Sequence, residues 1–295
     1  MALNYQRAFK YSTNINYNVE EWYLSPKYDG IRCWYDMATD ELYYRSGRIA
    51  TLLDHIKADC RKLCSENNLA MVDGELCVPG LPFSQISSLV RRTKNLQPGE
   101  KESIKLVVFA VRPVGDVNLT TPEMVEILDK LDYTSYSNLM KIEYESIQND
   151  SEVIEQKVKQ MQAEGWEGAM LRNPVVSYEE GGTRTLLKVV YPRQSNLKIT
   201  GFVEGNGRYK GMLGSLEVEG QGITETREVI PVRSRVSSGL STAQRKEIWK
   251  KKDVYLGVGV TCTNQKATPI DEDEFGSLRF PRVKEIMQNC SLVRL

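Results

Sequence analysis

Pro26-Lys27-Tyr28-Asp29-Gly30-Ile31-Arg32 reads as the end of a strand running into a tight turn, because Asp-Gly pairs are turn formers. A lysine just ahead of such a turn stands at the lip of a cleft. An amine attacks phosphorus only in its neutral form, which cationic neighbours or burial favour. Arg32 adds a planar fork suited to a phosphate. Taken alone, the stretch reads equally as a hairpin turn with surface charges, so its meaning depends on the rest of the chain.

Other segments supply matching parts. Asp73-Gly74-Glu75 ends a strand candidate at residues 71–78, and Arg45-Ser46-Gly47 follows Tyr43-Tyr44. Glu167-Gly168-Ala169-Met170-Leu171-Arg172 follows a predicted helix, and Leu186-Leu187-Lys188-Val189-Val190 is a strand. The set offers a lysine nucleophile, two carboxylates able to hold Mg2+, and several cations for a triphosphate. Phosphoryl or nucleotidyl transfer requires those parts.

The 295 residues are 41% hydrophobic and 26% charged, a composition that argues against wholesale disorder and allows one large domain or two ordinary ones. No apolar run is long enough to span a membrane, and the N-terminus lacks the apolar core of a signal peptide. The expectation is a cytoplasmic protein, in the host-cell cytoplasm if the source is viral. His55 is the single histidine, which disfavours a Ser-His-Asp triad or a multi-histidine metal site. The six cysteines, Cys33, Cys60, Cys64, Cys77, Cys262 and Cys290, form no C-x-x-C pair and read as reduced, unbridged thiols. Net charge is zero, yet residues 197–295 hold 16 Lys and Arg against 12 Asp and Glu. A basic C-terminal third suits phosphate contact.

The fold class read from the pattern is α+β in two domains. Residues 1–196 mix strands at 71–78, 105–111 and 186–191 with two helices. One carries Phe83, Ile86, Leu89 and Val90 on one face; the other carries Ile154, Val158 and Met161, with Ser151 as N-cap and Gly165 as stop. Ser195-Asn196 is a polar break that sets the boundary. Residues 197–295 show strand candidates at 198–204, 215–219, 228–233 and 255–263, and a helical stretch at 242–252, which fits an OB-fold β-barrel.

In order and spacing these segments resemble the covalent nucleotidyltransferases, and within them the minimal ATP-dependent DNA ligases of viruses and phages. The resemblance runs over nearly the whole chain. P-K-Y-D-G-I-R is similar to motif I, Y-R-S-G to motif Ia, V-D-G-E-L to motif III, V-V-F-A-V to motif IIIa, E-G-A-M-L-R to motif IV and L-L-K-V-V to motif V. Residues 198–218 resemble the entry into the ligase OB domain. The resemblance implies an ATP-grasp-like nucleotidyltransferase domain of antiparallel sheets and helices, then the OB domain. It implies that Lys27 becomes adenylated by ATP with Mg2+ or Mn2+ and that nicked duplex DNA is the partner of a monomeric enzyme. By position, Ser25 reads the adenine edge and Phe109 stacks on the purine, unless it is a core strand residue. Arg32 and Arg45 contact the nucleotide and the 5′-phosphate of the nick. Glu75 binds ribose or metal, Glu167 binds metal, and Lys188 neutralises the α-phosphate. A short hinge near residues 192–198 would let the OB domain swing between the two stages of the reaction.

Two departures stand out. The second lysine of motif V is replaced by Val190, with Arg193 as one substitute, and Val283-Lys284-Glu285 departs from motif VI, leaving Arg282 and Lys284 to orient pyrophosphate. In the OB region, Arg208 and Lys210 lie in a glycine-rich run where they could grip DNA phosphates, while the basic helix at 245–252 reads as a solvated face. An RNA ligase, a GTP-dependent mRNA-capping guanylyltransferase and a non-catalytic nucleic-acid-binding module with a relic pocket are the alternatives.

Overall fold

The computed structural model describes residues 5–115, 119–176, 178–269, 274–288 and 291–294; Cys290 lies outside them. The chain divides into two compact units, Met1–Tyr191 and Pro192–Leu295.

The first unit begins with β1 (Gln6–Lys10), β2 (Glu21–Lys27), β3 (Ile31–Asp36), β4 (Glu41–Tyr44), α1 (Asp54–Asn67), β5 (Leu69–Cys77) and α2 (Phe83–Arg91). It continues with β6 (Lys105–Pro113), α3 (Thr121–Lys130), β7 (Leu139–Lys141), β8 (Glu145–Gln148), α4 (Ser151–Glu164), β9 (Gly168–Arg172) and β10 (Gly181–Val189). These strands make two five-stranded sheets, ordered β1-β10-β9-β2-β8 and β4-β3-β5-β6-β7. The sheets are mixed rather than purely antiparallel, since β1 pairs with β10, and β6 with β7, in parallel.

Strand parity decides which side chains reach the cleft. In the first sheet Trp22, Leu24, Ala169, Leu171, Leu187 and Val189 bury against Ile154, Val158 and Met161 of α4. Their neighbours Ser25, Lys27, Met170, Arg172, Leu186 and Lys188 therefore turn to the other face and line the cleft. The second sheet packs a larger core, in which Val72 and Leu76 meet Ile56, Leu63, Ile86 and Leu106.

Several sequence expectations need correction. The N-cap of α4 is Asp150, whose carboxylate accepts from the amides of Glu152 and Val153 at 2.8 and 3.0 Å; Ser151 is the first helical residue. Asp73-Gly74-Glu75 lies inside β5, not at its end. Ser195-Asn196 is no break, because both residues lie in a strand that opens the second unit.

That unit contains β11 (Arg193–Glu204), β12 (Leu213–Ile223), β13 (Val229–Val236), α5 (Thr242–Lys250), α6 (Lys252–Tyr255) and β14 (Gly259–Asn264). It ends with β15 (Ala267–Thr268), β16 (Ser277–Leu278), β17 (Arg282–Gln288) and β18 (Ser291–Arg294). The main sheet runs β13-β12-β11-β14-β17-β18, and a bridge between Ser238 and Arg282 brings the end of β13 to β17. The sheet so curls around a core of Ile199, Leu216, Val218, Val260 and Ile248. The predicted helix at 242–252 breaks at Lys251, and the last predicted strand starts only at Gly259. Among the described residues no helix is long and apolar enough to cross a membrane, and the five described cysteines are buried and free.

Candidate active site

A cleft of about 470 Å³ opens between the sheets of the first unit. Lys27 is the last residue of β2 and Glu167 immediately precedes β9, the neighbouring strand. The Lys27 ammonium donates to the Glu167 carboxylate, and the Glu167 amide donates to the Lys27 carbonyl at 3.3 Å. Tyr28 meets Trp166 edge-on with ring centroids 4.9 Å apart, so the two motif loops are fastened beside the chemistry. Two glycines are sterically required. A Cβ on Gly30 would stand 2.3 Å from the Leu76 carbonyl oxygen, and one on Gly168 would stand 2.2 Å from that of Val189.

Arg32 is not a free phosphate fork. Its Nε donates to Asp73 Oδ1 at 3.0 Å, Nη2 donates to the other carboxylate oxygen, and Nη1 donates to the Gln6 carbonyl at 2.7 Å. Burial opposes the charge, but Asp73 holds the guanidinium pKa above its ordinary value. The Tyr178 hydroxyl also donates to Asp73 at 2.8 Å, and Arg172 donates to the Gln6 side chain at 2.7 Å. This network ties β1, β3, β5 and β9 together. The Arg32 guanidinium carbon lies 5.0 Å from the Phe109 ring centroid. Phe109 both packs against the core and lines the cleft.

Glu75 is half-buried in the cleft and has no hydrogen-bond or ion-pair partner among the described residues. Burial pushes its carboxyl up to about 7, against the opposing pull of Lys27 and Arg32. This unpaired, poorly solvated carboxylate, with Glu167 in the same cleft, fits a divalent cation. The described residues contain no cluster of three or more His, Cys, Asp or Glu able to hold a metal, so phosphates and water would complete the shell, as Mg2+ prefers.

The structure brings Ser25, Lys27, Arg32, Arg45, Glu75, Phe109, Glu167 and Lys188 to this one cleft. Arg45 is exposed, with Nε 3.3 Å from the Tyr5 hydroxyl. Val190 falls beyond the end of β10, so strand parity does not carry to it, and its side chain sits against Gly168. Arg193 belongs to the second unit, where it donates to the carbonyls of Ile223 and Thr224 at 3.3 and 2.8 Å; it is not a spare phosphate cation. Four cleft residues, Tyr5, Arg7, Arg91 and Arg172, were not singled out as site residues from the sequence. Arg172 closes the motif IV stretch, where its type could have signalled it; the other three lie outside every short motif.

In the second unit, Arg208 lies in a single 3₁₀ turn, Gly207–Tyr209, and Lys210 follows it; both are exposed. Arg282 lines an open concavity with Tyr209 and Arg245, whereas Lys284 donates to the Gln194 side chain at 3.2 Å. Arg245 corrects the reading of its helix as a solvated face. It is buried and donates to the carbonyls of Leu213 and Gly214 at 3.0 and 2.7 Å and to that of Ser237.

A lysine-bearing cleft between two mixed sheets, followed by a second β-rich unit, defines the nucleotidyltransferase type of ligase fold. Residues 6–189 match the ATP dependent DNA ligase domain family, and the chain belongs to it. A DNA ligase of Methanococcus maripaludis is 25% identical over 309 residues, covering 90% of this chain and 53% of that protein. The chain thus spans about half the length of the M. maripaludis ligases it matches. The solved chain Pmar-Lig_PreS3 shares the fold with a TM-score of 0.71 at 23% identity, covering 96% of this chain and 67% of that one. A solved Lig E DNA ligase does so with a TM-score of 0.63 at 23% identity, covering 96% and 99%.

Proposed function

We propose that this chain is an ATP-dependent DNA ligase that seals 3′-hydroxyl/5′-phosphate nicks in duplex DNA. The observation that carries the reading is the Lys27 amine at the cleft rim, hydrogen-bonded to Glu167 with Glu75 and Phe109 in the same cavity, within a family defined by ATP-dependent ligation. With a proton passed to Glu167, the neutral Lys27 Nζ forms a bond to the α-phosphorus of ATP while the bond to pyrophosphate breaks, leaving lysyl-AMP. Glu167 orients the amine, Ser25 and Phe109 hold the base, and Lys188 neutralises the α-phosphate. Glu75 and Glu167 would hold Mg2+ or Mn2+, which would supply charge neutralisation at the phosphates. AMP then passes to the 5′-phosphate of the nick, and the 3′-hydroxyl displaces it as the strand is joined.

Arg45, Arg208 and Lys210 hold the DNA, while Arg282 and Lys284 orient pyrophosphate. The enzyme acts as a monomer in the cytoplasm, with an adenylation domain and an OB domain meeting near residues 192–196. Incubation with α-labelled ATP or GTP and Mg2+, denaturation, and a chase with nicked DNA or nicked RNA test the reading. Label from ATP that moves onto nicked DNA is expected. Label from GTP alone, transfer only to RNA, or no protein label at all would overturn it.

A further inference from the structure

Helix α2 ends at Arg91, which lines the same cleft as Lys27 and Arg45. Both chain neighbours of Arg91 are fastened. The Val90 carbonyl accepts from the ammonium of buried Lys101 at 3.1 Å, and Arg92 is ion-paired with Glu100. Burying an ammonium is unfavourable unless it is well satisfied, so Lys101 is a demanding way to hold one helix end. Ile86, Leu89 and Val90 lock the opposite face of α2 into the core, so the helix cannot rotate to redirect its last side chain.

Arg91 itself is exposed and has no carboxylate or hydrogen-bond partner among the described residues. Arg32, Arg61, Arg92 and Arg112 of the same unit each face a carboxylate. The Arg91 guanidinium lies close enough to the Tyr44 phenol to act on it electrostatically, and Tyr44 directly precedes Arg45. Two exposed guanidiniums, Arg45 and Arg91, thus line the same cleft, the second at the end of a helix whose neighbouring residues are fastened. A planar fork without an internal partner, as at Arg91, suits bidentate capture of a phosphoryl group.

We propose that Arg91 is a second binding residue, beside Arg45, for the terminal 5′-phosphate of the nick. The assignment rests on the ligase reading of the cleft. Its test compares Arg91→Ala, Arg91→Lys and Lys130→Ala, the last removing an exposed charge from α3 that does not line the cleft. Binding is measured to nicked duplexes ending in 5′-phosphate or 5′-hydroxyl, together with the rate of protein labelling by ATP. Arg91→Ala should weaken the 5′-phosphate nick about tenfold, the scale of one hydrogen bond to a charged group, with little change for the 5′-hydroxyl nick. Arg91→Lys should recover part of the loss, and Lys130→Ala should match the native chain. Equal losses for both ends, or a loss confined to labelling by ATP, would overturn the assignment. Failure of the unmodified protein to take label from ATP would instead sink the ligase reading beneath it.

Discussion

The two units hold their charged side chains in opposite ways. In the first, Lys27, Glu75 and Lys188 project from strands whose register is set by neighbours on either side, and Arg32 is fixed by three hydrogen bonds. In the second, Arg208 and Lys210 stand exposed on a turn between β11 and β12, held by Arg245 beneath it, by the Arg208 guanidinium on the Tyr209 hydroxyl at 2.7 Å and by the Gly211 amide on Glu204 at 2.9 Å. Bond-making needs groups held to a fraction of an ångström, which strands provide. Gripping a sugar-phosphate backbone positions a duplex without reading it, and a turn that adapts at its tip serves that purpose.

Removing the strand-held nucleophile gives the most severe test of this contrast. Lys27→Ala should lower labelling by ATP by on the order of 10⁴-fold or more, with a melting temperature close to that of the native chain because the side chain sits at a rim. Retained labelling would move the nucleophile elsewhere. Glu75→Gln should slow labelling about 100-fold, the scale of one lost electrostatic contact at a reacting centre. It also carries a pH signature. The folded chain raises this carboxyl from 4.5 to about 7, so folding favours the protonated form; that contribution is full below pH 4.5 and lost as pH rises through about 7. In metal-free solution the Gln variant should therefore melt higher than the native chain above pH 7, and the gap should close toward pH 4.5. A gap that widens on acidification would contradict the burial argument.

For the turn, Arg208→Ala and Lys210→Ala should each weaken DNA several-fold regardless of sequence and lower the salt slope of binding by about one. A loss limited to one DNA sequence would mean base reading instead. Mildest of all, Asp150→Ala should remove about 1 kcal/mol through the lost cap of α4, measured as a drop of a few degrees in melting temperature.

Much of this was legible in the sequence where the signal is local. The apolar spacing of Ile86, Leu89 and Val90 marks α2, β-branched runs mark β5 and β6, and the short motifs carry the residues that line the cleft. What was not legible depends on partners far along the chain. Arg32 looks like a free fork until Asp73 and Gln6 are brought to it. Arg245 looks like one more surface charge in a basic helix until the carbonyls of Leu213, Gly214 and Ser237 close on it. Asp150 and Ser151 are both good caps by type, and only backbone geometry chooses between them.

The parallel pairing of β1 with β10 has a consequence for how the molecule is made. The Gln6 carbonyl is carried on a strand whose sheet partner is almost the last segment of its unit to be translated. Contacts so remote in sequence form late and slowly. A nascent chain already holding its nucleophile and most of its motifs must wait for residues 181–188 to leave the ribosome before β1 can dock, so the chemical centre is completed in one terminal step of folding.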